Sequence, residues 1–184
     1  MSKSVAIVTG ASSGIGKATA IRLASDFAVV VLAARGKAAL GEVADAVRAQ
    51  GAEPLAIDLD LMIPAAAKTL VDRTLAKFGR IDALLNIAGA VPGIDLFEMS
   101  DEQWNSGVEL KLHGARRITL RAWEALKAAR GSVVLMAGNA AEVSTAAAAA
   151  VGVINAAIVA LAKVLPTRGS NMVFRSTVSR PGRS

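Results

Sequence analysis

Hydrophobic and polar positions along this chain follow two alternating patterns. Short runs that are apolar at nearly every position, such as SVAIVTG at 4–10 and FAVVVLAAR at 27–35, are separated by longer segments whose apolar residues recur at helical spacing. Strands that are apolar throughout are typical of sheets with both faces covered. The alternation therefore predicts buried parallel strands that are joined by helices.

The predicted elements alternate along the whole chain. Strands are expected over 4–10, 27–35, 52–58, 80–89, 132–138 and 171–178, and helices over 15–25, 37–50, 64–78, 100–128 and 145–165. Right-handed crossovers between such strands give an α/β fold: a Rossmann-type, doubly wound parallel sheet in three layers with about six strands. A length of 184 residues predicts one domain over 1–184.

The helix predicted over 145–165 is apolar around nearly its whole circumference. Such a helix needs burial on most of its faces. We expect one face to pack on the sheet and the other on a second copy of the chain, which predicts a homo-oligomer through the 100–128 and 145–165 helices. No apolar run is expected to span a bilayer without interruption and no signal peptide is recognised, so the expectation is a soluble, cytoplasmic protein without a membrane partner.

The segment TGASSGIG at 9–16 lies between the first predicted strand and the first predicted helix. Gly10 allows a sharp turn out of the strand, Gly14 lets the backbone approach a pyrophosphate, and Gly16 lets the helix pack close to the sheet. The helix start adds free N–H groups and a partial positive charge. Two serines add hydroxyl donors: Ser12 and Ser13. The pattern predicts a dinucleotide site in preference to a glycine turn without a ligand.

At these residues the chain resembles the short-chain dehydrogenase/reductase family, whose glycine loop has the same spacing. Asp58 stands where an aspartate of the family contacts adenine, NIAG at 86–89 resembles its Asn-Asn-Ala-Gly motif, and SRPG at 179–182 resembles its Pro-Gly turn. The resemblance covers essentially the whole chain and implies an NAD(P) ligand. The residues expected to contact it are Gly10, Ser12, Ser13, Gly14, Ile15, Gly16, Arg35, Asp58, Leu59, Asn86, Ala88, Gly89, Lys111 and Asn155.

The end of the second strand bears on the choice of cofactor. A carboxylate there would hydrogen-bond the adenosine ribose and repel a 2′-phosphate. The chain instead reads Ala33-Ala34-Arg35, and a guanidinium matches the geometry of a phosphate. We therefore expect NADP(H) to be preferred over NAD(H). The competing interpretation is that Arg35 stacks on the adenine or is simply exposed.

The resemblance also locates the positions where the family carries its chemistry. It implies a tyrosine activated by a lysine one helical turn later, a serine at a strand end and an asparagine on the long helix. In that order these positions are Val151, Asn155, Gly138 and Lys111, and all four differ from the family. Because the chain contains no tyrosine, realignment cannot supply the phenol, and we expect no catalytic residue of the usual kind.

Lys111 and Asn155 look like the lysine and the asparagine of the family with their positions exchanged. Since the family places these positions opposite each other across the cofactor cleft, we hypothesise that Lys111 reaches Asn155 and restores a cation near the cofactor ribose. The competing interpretation is a solvated lysine on a helix. Histidine is a common proton donor in catalysis, but His113 lies two residues from Lys111 and points to another side of the helix.

Composition narrows the remaining possibilities. The chain has no cysteine, which excludes a disulfide framework and a cysteine-based zinc site, and its single histidine argues against a metal centre. The formal net charge is +6. No aromatic residues are interleaved with the basic ones to stack on bases, so a solvated helix face is expected in preference to a nucleic-acid surface.

Three functions remain open. The first is an NAD(P)-binding protein that lacks the standard tyrosine- and lysine-dependent oxidoreductase activity. The second is an NAD(P)(H)-dependent oxidoreductase with an altered site around Lys111 and Asn155, and the third is a non-enzymatic interaction protein. The family continues past the Pro-Gly turn with segments that cover the substrate, whereas only Arg183 and Ser184 follow here. We therefore expect the adenosine half of the cofactor to be held better than the nicotinamide half.

Overall fold

The structure is a computed structural model that describes residues 3–142, 145–165 and the backbone of 174–179. Six strands form one parallel sheet in the order β3-β2-β1-β4-β5-β6, which confirms the predicted doubly wound fold. The strands are β1 (Val5–Thr9), β2 (Val29–Ala34), β3 (Glu53–Asp58), β4 (Ala83–Asn86), β5 (Ser132–Gly138) and β6 (Phe174–Ser179). The chain reverses direction across the sheet between β1 and β4, where ligands bind in such folds.

Helices cover the sheet on both faces. They are α1 (Gly14–Leu23), α2 (Lys37–Ala49), α3 (Pro64–Phe78), α4 (Asp101–Gly107), α5 (Gly114–Ala129) and α6 (Ala149–Val164). One apolar cluster joins α1 and α2 to the first strands, and a second joins α3, α5 and α6 to the opposite face. The three predicted layers are therefore present.

The strands differ in how completely they are covered. Every residue of β1 and β2 is buried, as the continuous apolar runs predict. In β5 buried and half-buried positions alternate instead, so the prediction of burial on both faces is wrong for this strand. Val133, Leu135 and Ala137 join the cluster formed by α3, α5 and α6. Val134 and Met136 alternate with them and are only half-buried, because within the described residues α1 and α2 pack beneath the other half of the sheet.

The long helix predicted over 100–128 is present but changes its hydrogen-bonding pattern in the middle. Between α4 and α5 lies a π-helical segment, Val108–His113. Ser100 begins the helix with a capping box, in which its side chain and that of Gln103 each bond the backbone N–H of the other residue. π-helical turns are frequent at functional sites, and this one contains Lys111.

Helix α6 is preceded by a short 3-10 turn, Ala146–Ala148, so the helix predicted over 145–165 begins in a tighter form. The stretch Ala146–Val164 has 19 residues and a mean hydropathy of 2.0, and by length and composition it could cross a bilayer. Asn155 and Lys163 interrupt this apolar stretch, which agrees with the expectation that no uninterrupted apolar run spans a bilayer. Core helices pass the same test, and Ile158 of α6 does pack in the sheet core.

Several predicted boundaries move or fall elsewhere. The fourth strand is shorter than 80–89, because the chain leaves the sheet after Asn86 and Ile87–Gly89 form a loop. Residues 171–173 at the start of the last predicted strand, and all of the SRPG motif except Ser179, lie outside the described residues.

Candidate functional site

A cleft of about 600 Å³ opens at the carboxyl ends of the strands, where β1 and β4 lie side by side. It is built from the glycine loop, the ends of β2 and β5, and the loops after β3 and β4. Eleven of the predicted contact residues line it: Gly10, Ser12, Ser13, Gly14, Ile15, Gly16, Arg35, Leu59, Ala88, Gly89 and Lys111. The other three, Asp58, Asn86 and Asn155, are not among the lining residues.

Two glycines hold the loop after β1 in a form that larger residues cannot adopt. Gly10 has φ +68°, and a Cβ there would stand 2.9 Å from Ala88 Cα in the loop after β4. A Cβ on Gly16 would stand 2.1 Å from the carbonyl oxygen of Gly10. Gly16 therefore lets α1 pack against Gly10, the residue that directly follows strand β1.

Gly14 and the start of α1 leave a backbone surface open to a ligand. Gly14 has φ +51°, a conformation that costs other L-residues about 1–2 kcal/mol, and no atom lies within 4 Å of the position of a Cβ there. Ser13 occupies the N-cap of α1, but its side chain makes no capping hydrogen bond. The first N–H groups of the helix and its dipole thus remain available to an anion, as a pyrophosphate requires.

Thr9, at the end of β1, holds the loop after β4 in position. Its fully buried Oγ1 accepts hydrogen bonds from Ile87 N at 3.0 Å and from Ala88 N at 3.1 Å. The hydroxyl in turn lies 3.4 Å from the carbonyl oxygen of Leu85. Reading the sequence did not single out Thr9, since a threonine within an apolar strand carries no signal beyond strand propensity.

At the β2 edge of the cleft, the charged residues form two separate contacts. Arg35 has a 68% exposed side chain, and its Nη1 lies 3.7 Å from Asp60 Oδ2. Asp58 Oδ1 accepts a hydrogen bond from Gly36 N at 3.0 Å, just before α2 begins. Asp58 thereby fixes the turn that carries Arg35, while Asp60, which sequence reasoning passed over, lines the cleft.

At the β5 side of the cleft, Lys111 extends from the π-helical segment to α6. Its Nζ donates a hydrogen bond to Asn155 Oδ1 at 2.5 Å, so the predicted contact between the two exchanged residues is confirmed. The lysine stem lies across Gly89, where a Cβ would stand 3.0 Å from Lys111 Cδ. Burial lowers the pKa of Lys111 from its ordinary value, because the charged ammonium loses contact with water.

Gly138 and Val151, which the resemblance places at two further catalytic positions of the family, have side chains that offer no proton. Gly138 ends β5 and lines the cleft, and its nearest neighbour across the gap is the side-chain amide nitrogen of Asn155. Val151, in the first turns of α6, is half-buried and does not line the cleft. Among the described residues of this cleft, the ionisable groups are therefore Arg35, Asp60 and Lys111.

Two further candidate residues are placed away from the cleft. Asn86 is buried at the end of β4, where its Nδ2 donates a hydrogen bond to Thr119 Oγ1 of α5 at 3.2 Å. His113 borders a second cavity together with Glu102 and Glu109, on another side of the long helix from Lys111. The expectation that His113 points away from Lys111 agrees with this position.

Comparisons with known proteins fit this geometry. Residues 4–173 match the model of the short chain dehydrogenase family. The chain belongs to the short-chain dehydrogenase family. The 3-oxoacyl-[acyl-carrier-protein] reductase FabG of Escherichia coli is 33% identical over 153 residues, which are 79% of this chain and 62% of that enzyme. The chain spans about half the length of other curated relatives that it matches.

Solved structures of the short-chain dehydrogenase family have the same fold. The alcohol dehydrogenase of Thermococcus sibiricus, in complex with 5-hydroxy-NADP, superposes with a TM-score of 0.89 at 26% identity and covers 94% of this chain and 74% of its own. The F189W actinorhodin polyketide ketoreductase with NADPH gives a TM-score of 0.88 at 28% identity, covering 95% of this chain and 69% of its own. The fold and the dinucleotide-binding class are therefore those of a short-chain dehydrogenase.

Proposed function

We propose that this protein binds NADP(H) in the cleft between β1 and β4 and lacks the standard tyrosine-dependent route of carbonyl reduction. The observation that supports binding is the glycine loop, whose open backbone at Gly14 faces the cleft beside an uncapped helix α1. When bound, the nicotinamide of such a cofactor gives or takes a hydride. The binding domain extends over residues 1–184 in this proposal.

The residues of the cleft have distinct roles in holding the dinucleotide. The glycine loop and the start of α1 bind the pyrophosphate through backbone N–H groups. Arg35, exposed at the β2 edge, binds the 2′-phosphate, which favours NADP(H) over NAD(H). The solved relatives with NADPH and 5-hydroxy-NADP support this choice. Lys111 and Asn155 lie at the opposite end of the cleft, near the nicotinamide ribose.

The proposed lack of the standard route rests on two positions. When a hydride adds to a carbonyl carbon, the carbonyl oxygen must receive a proton. The family takes this proton from a tyrosine. Val151 stands at that position and Gly138 at that of the orienting serine, and neither side chain can donate or accept a proton. The protein acts in this proposal as a binding or regulatory subunit.

One observation favours a second candidate, an oxidoreductase with an altered site. Lys111 is a cation in the cleft that touches Asn155, and burial lowers its pKa, so its ammonium is a better proton donor than an exposed lysine. An interaction protein without a nucleotide is the third candidate. Part of the basic surface that such a protein would use is paired within the chain, since Arg117 contacts Glu109, and Arg121 Nη2 lies 2.7 Å from Asp72 Oδ1.

We also propose that the protein is a homodimer through α5 and α6. Within one chain, Leu120 of α5 is 54% exposed, and Val153 and Val164 of α6 are 54% and 58% exposed. Burial of a large apolar side chain contributes about 1.5–3 kcal/mol. Size-exclusion chromatography with light scattering tests the assembly, and a monomer at micromolar concentration would contradict it.

Two measurements separate the three candidates. Fluorescence titration with NADPH and NADH tests binding, and a chain that binds neither is an interaction protein. Turnover of NADPH with panels of ketones and aldehydes tests chemistry. Turnover that Lys111→Ala abolishes supports the altered oxidoreductase, whereas binding without turnover supports the binding subunit.

A further inference from the structure

The hydrogen bond between Lys111 and Asn155 determines how the asparagine amide is oriented. An ammonium group has donors only, so the atom that faces Lys111 Nζ must be the amide oxygen, Oδ1. The Nδ2 group of Asn155 then faces the other way. The usual ambiguity between the two amide atoms is therefore removed at this residue.

The Nδ2 group of Asn155 is a buried donor with no acceptor among the residues that the structure describes. Asn155 is 1% exposed. Leaving such a donor unpaired costs about 1–3 kcal/mol. A group of this kind requires an explanation, and a ligand atom that accepts the bond is one.

The donor faces the side-chain position of Gly138, at the floor of the cleft. A Cβ built on Gly138 would stand 3.1 Å from Asn155 Nδ2, and apart from the adjacent residues 137 and 139 no other atom of the described residues comes within 4 Å of it. Asn155 Nδ2 therefore lies directly behind Gly138, which itself lines the cleft.

The charge of Lys111 is directed to the same corner of the cleft. Its Nζ is bonded to Asn155, which leaves two of its three donors for other partners. In this part of the cleft the described lining residues next to Gly138 and Lys111 are apolar, including Met136, Ala137 and Leu110. An acceptor that also carries a negative charge would satisfy the amide and neutralise the buried ammonium.

We propose that the corner formed by Gly138, Asn155 and Lys111 binds a carboxylate group of a small organic ligand. One carboxylate oxygen accepts from Asn155 Nδ2 and the group pairs with the Lys111 ammonium. The inference deepens the proposed function, since the carboxylate ligand shares the cleft with the dinucleotide. The desolvated state of Lys111, whose pKa burial lowers, supports it, because a nearby anion favours the charged form.

NMR titration with sodium acetate tests this inference. Acetate is added to the full chain with and without NADP⁺, and the resonance of the Asn155 side-chain amide is followed. That resonance is assigned by its loss in Asn155→Leu or by through-bond correlations. Acetate is expected to shift this resonance saturably, and acetone, a neutral carbonyl of similar size, to bind at least about tenfold more weakly, since charge-assisted hydrogen bonds are about twice as strong. No response to acetate, or an equal response to acetone, overturns the inference.

Two substitutions at position 138 test the direction of the amide. In Gly138→Ser, the new hydroxyl can accept a hydrogen bond from Asn155 Nδ2. The Asn155 amide resonance should then have the chemical shift of a hydrogen-bonded amide without acetate, and acetate should no longer shift it. Gly138→Ala fills the same space without an acceptor, so it should remove only the acetate response. If the two variants give the same amide position, the donor does not face residue 138 and the inference fails.

The dinucleotide is monitored separately at the backbone amides of Gly14 and Ile15. If these do not respond to NADP⁺ while Asn155 responds to acetate, the proposed function fails and the carboxylate site stands. If they respond and acetate does not shift Asn155 in either state, the carboxylate site alone is refuted.

Discussion

The two halves of the sheet differ in how much of the family pattern they retain. On the side of β1–β3, the loop geometry depends on glycines and backbone N–H groups, and the spacing and the positive φ angles are those a pyrophosphate site needs. On the side of β4–β6, the resemblance places the family's chemistry on four side chains, and we propose that Val151, Asn155, Gly138 and Lys111 occupy those positions. A phosphate site made of backbone N–H groups is lost when its few glycines are replaced. Catalytic side chains, in contrast, can be replaced without disturbing the fold.

The second half nevertheless contains a new arrangement. Lys111 Nζ and Asn155 Oδ1 meet in a hydrogen bond of 2.5 Å, and we propose that the two residues exchange the types that the family has there. The π-helical segment that carries Lys111 and the close passage of its stem over Gly89 position this contact. One half of the cleft is thus a phosphate site of the family type, the retained half. The other, the rebuilt corner, consists of Gly138, Asn155 and Lys111 and contains a cation and an amide donor.

The largest expected effect on dinucleotide affinity comes from adding a side chain to the glycine loop. Gly16→Ala places a Cβ 2.1 Å from the Gly10 carbonyl oxygen, so the loop must shift. We expect affinity for NADPH to fall at least about 100-fold, or about 2.7 kcal/mol, as measured by fluorescence titration. Gly41→Ala is the matched control, because no atom lies within 4 Å of its Cβ position in α2. Unchanged affinity in Gly16→Ala would show that the loop does not bind the dinucleotide.

Thr9→Val tests the connection between the two halves. The substitution leaves the N–H groups of Ile87 and Ala88 without their acceptor, so we expect a loss of about 2–4 kcal/mol in the free energy of unfolding. Urea denaturation measures the loss. Thr69→Val is the control, since Thr69 is exposed on α3 and its hydroxyl bonds only Ala65 O. Equal stability of the two variants would mean that Thr9 does not hold the loop after β4.

Arg35→Ala tests cofactor choice in the retained half. Because Arg35 is proposed to bind the 2′-phosphate, affinity for NADPH should fall about tenfold while affinity for NADH stays the same, which corresponds to about 1.4 kcal/mol. Calorimetry with both dinucleotides measures this. Arg48→Ala removes the same charge from α2, where Arg48 pairs with Asp45, and serves as control. A parallel loss for NADH would assign Arg35 to the adenine and not to the phosphate.

Asn155→Asp gives the smallest expected effect and probes the rebuilt corner. In the wild-type protein, burial lowers the pKa of Lys111. A carboxylate at position 155 in place of the amide favours the charged ammonium of Lys111. The pKa of Lys111 should therefore rise relative to wild type. NMR of the lysine side-chain carbon atoms measures it, with Asn105→Asp on exposed α4 as the charge-matched control. A pKa unchanged by Asn155→Asp would show that the contact does not persist in solution.

The retained half could be predicted from the sequence in detail, and the rebuilt half only in part. Glycine spacing encodes backbone geometry directly, so the loop and the doubly wound parallel sheet followed from the local pattern, whereas the order of the strands was not predicted. The contact between Lys111 and Asn155 followed from the resemblance to the family. Thr9 and Asp60 were missed, because a buried hydroxyl and a second aspartate leave no periodic signal. The incomplete cover of β5 was also missed, since hydrophobicity does not say which neighbour covers a face.

The central claim is that the cleft holds a dinucleotide yet lacks the proton route of its family. Its most direct test is the fate of NADPH in one sample, in which fluorescence reports binding and absorbance reports oxidation after ketones and aldehydes are added. The account predicts saturable binding and no oxidation of NADPH above the rate without protein. Failure to bind NADPH, or steady oxidation that depends on the added ketone, would contradict it.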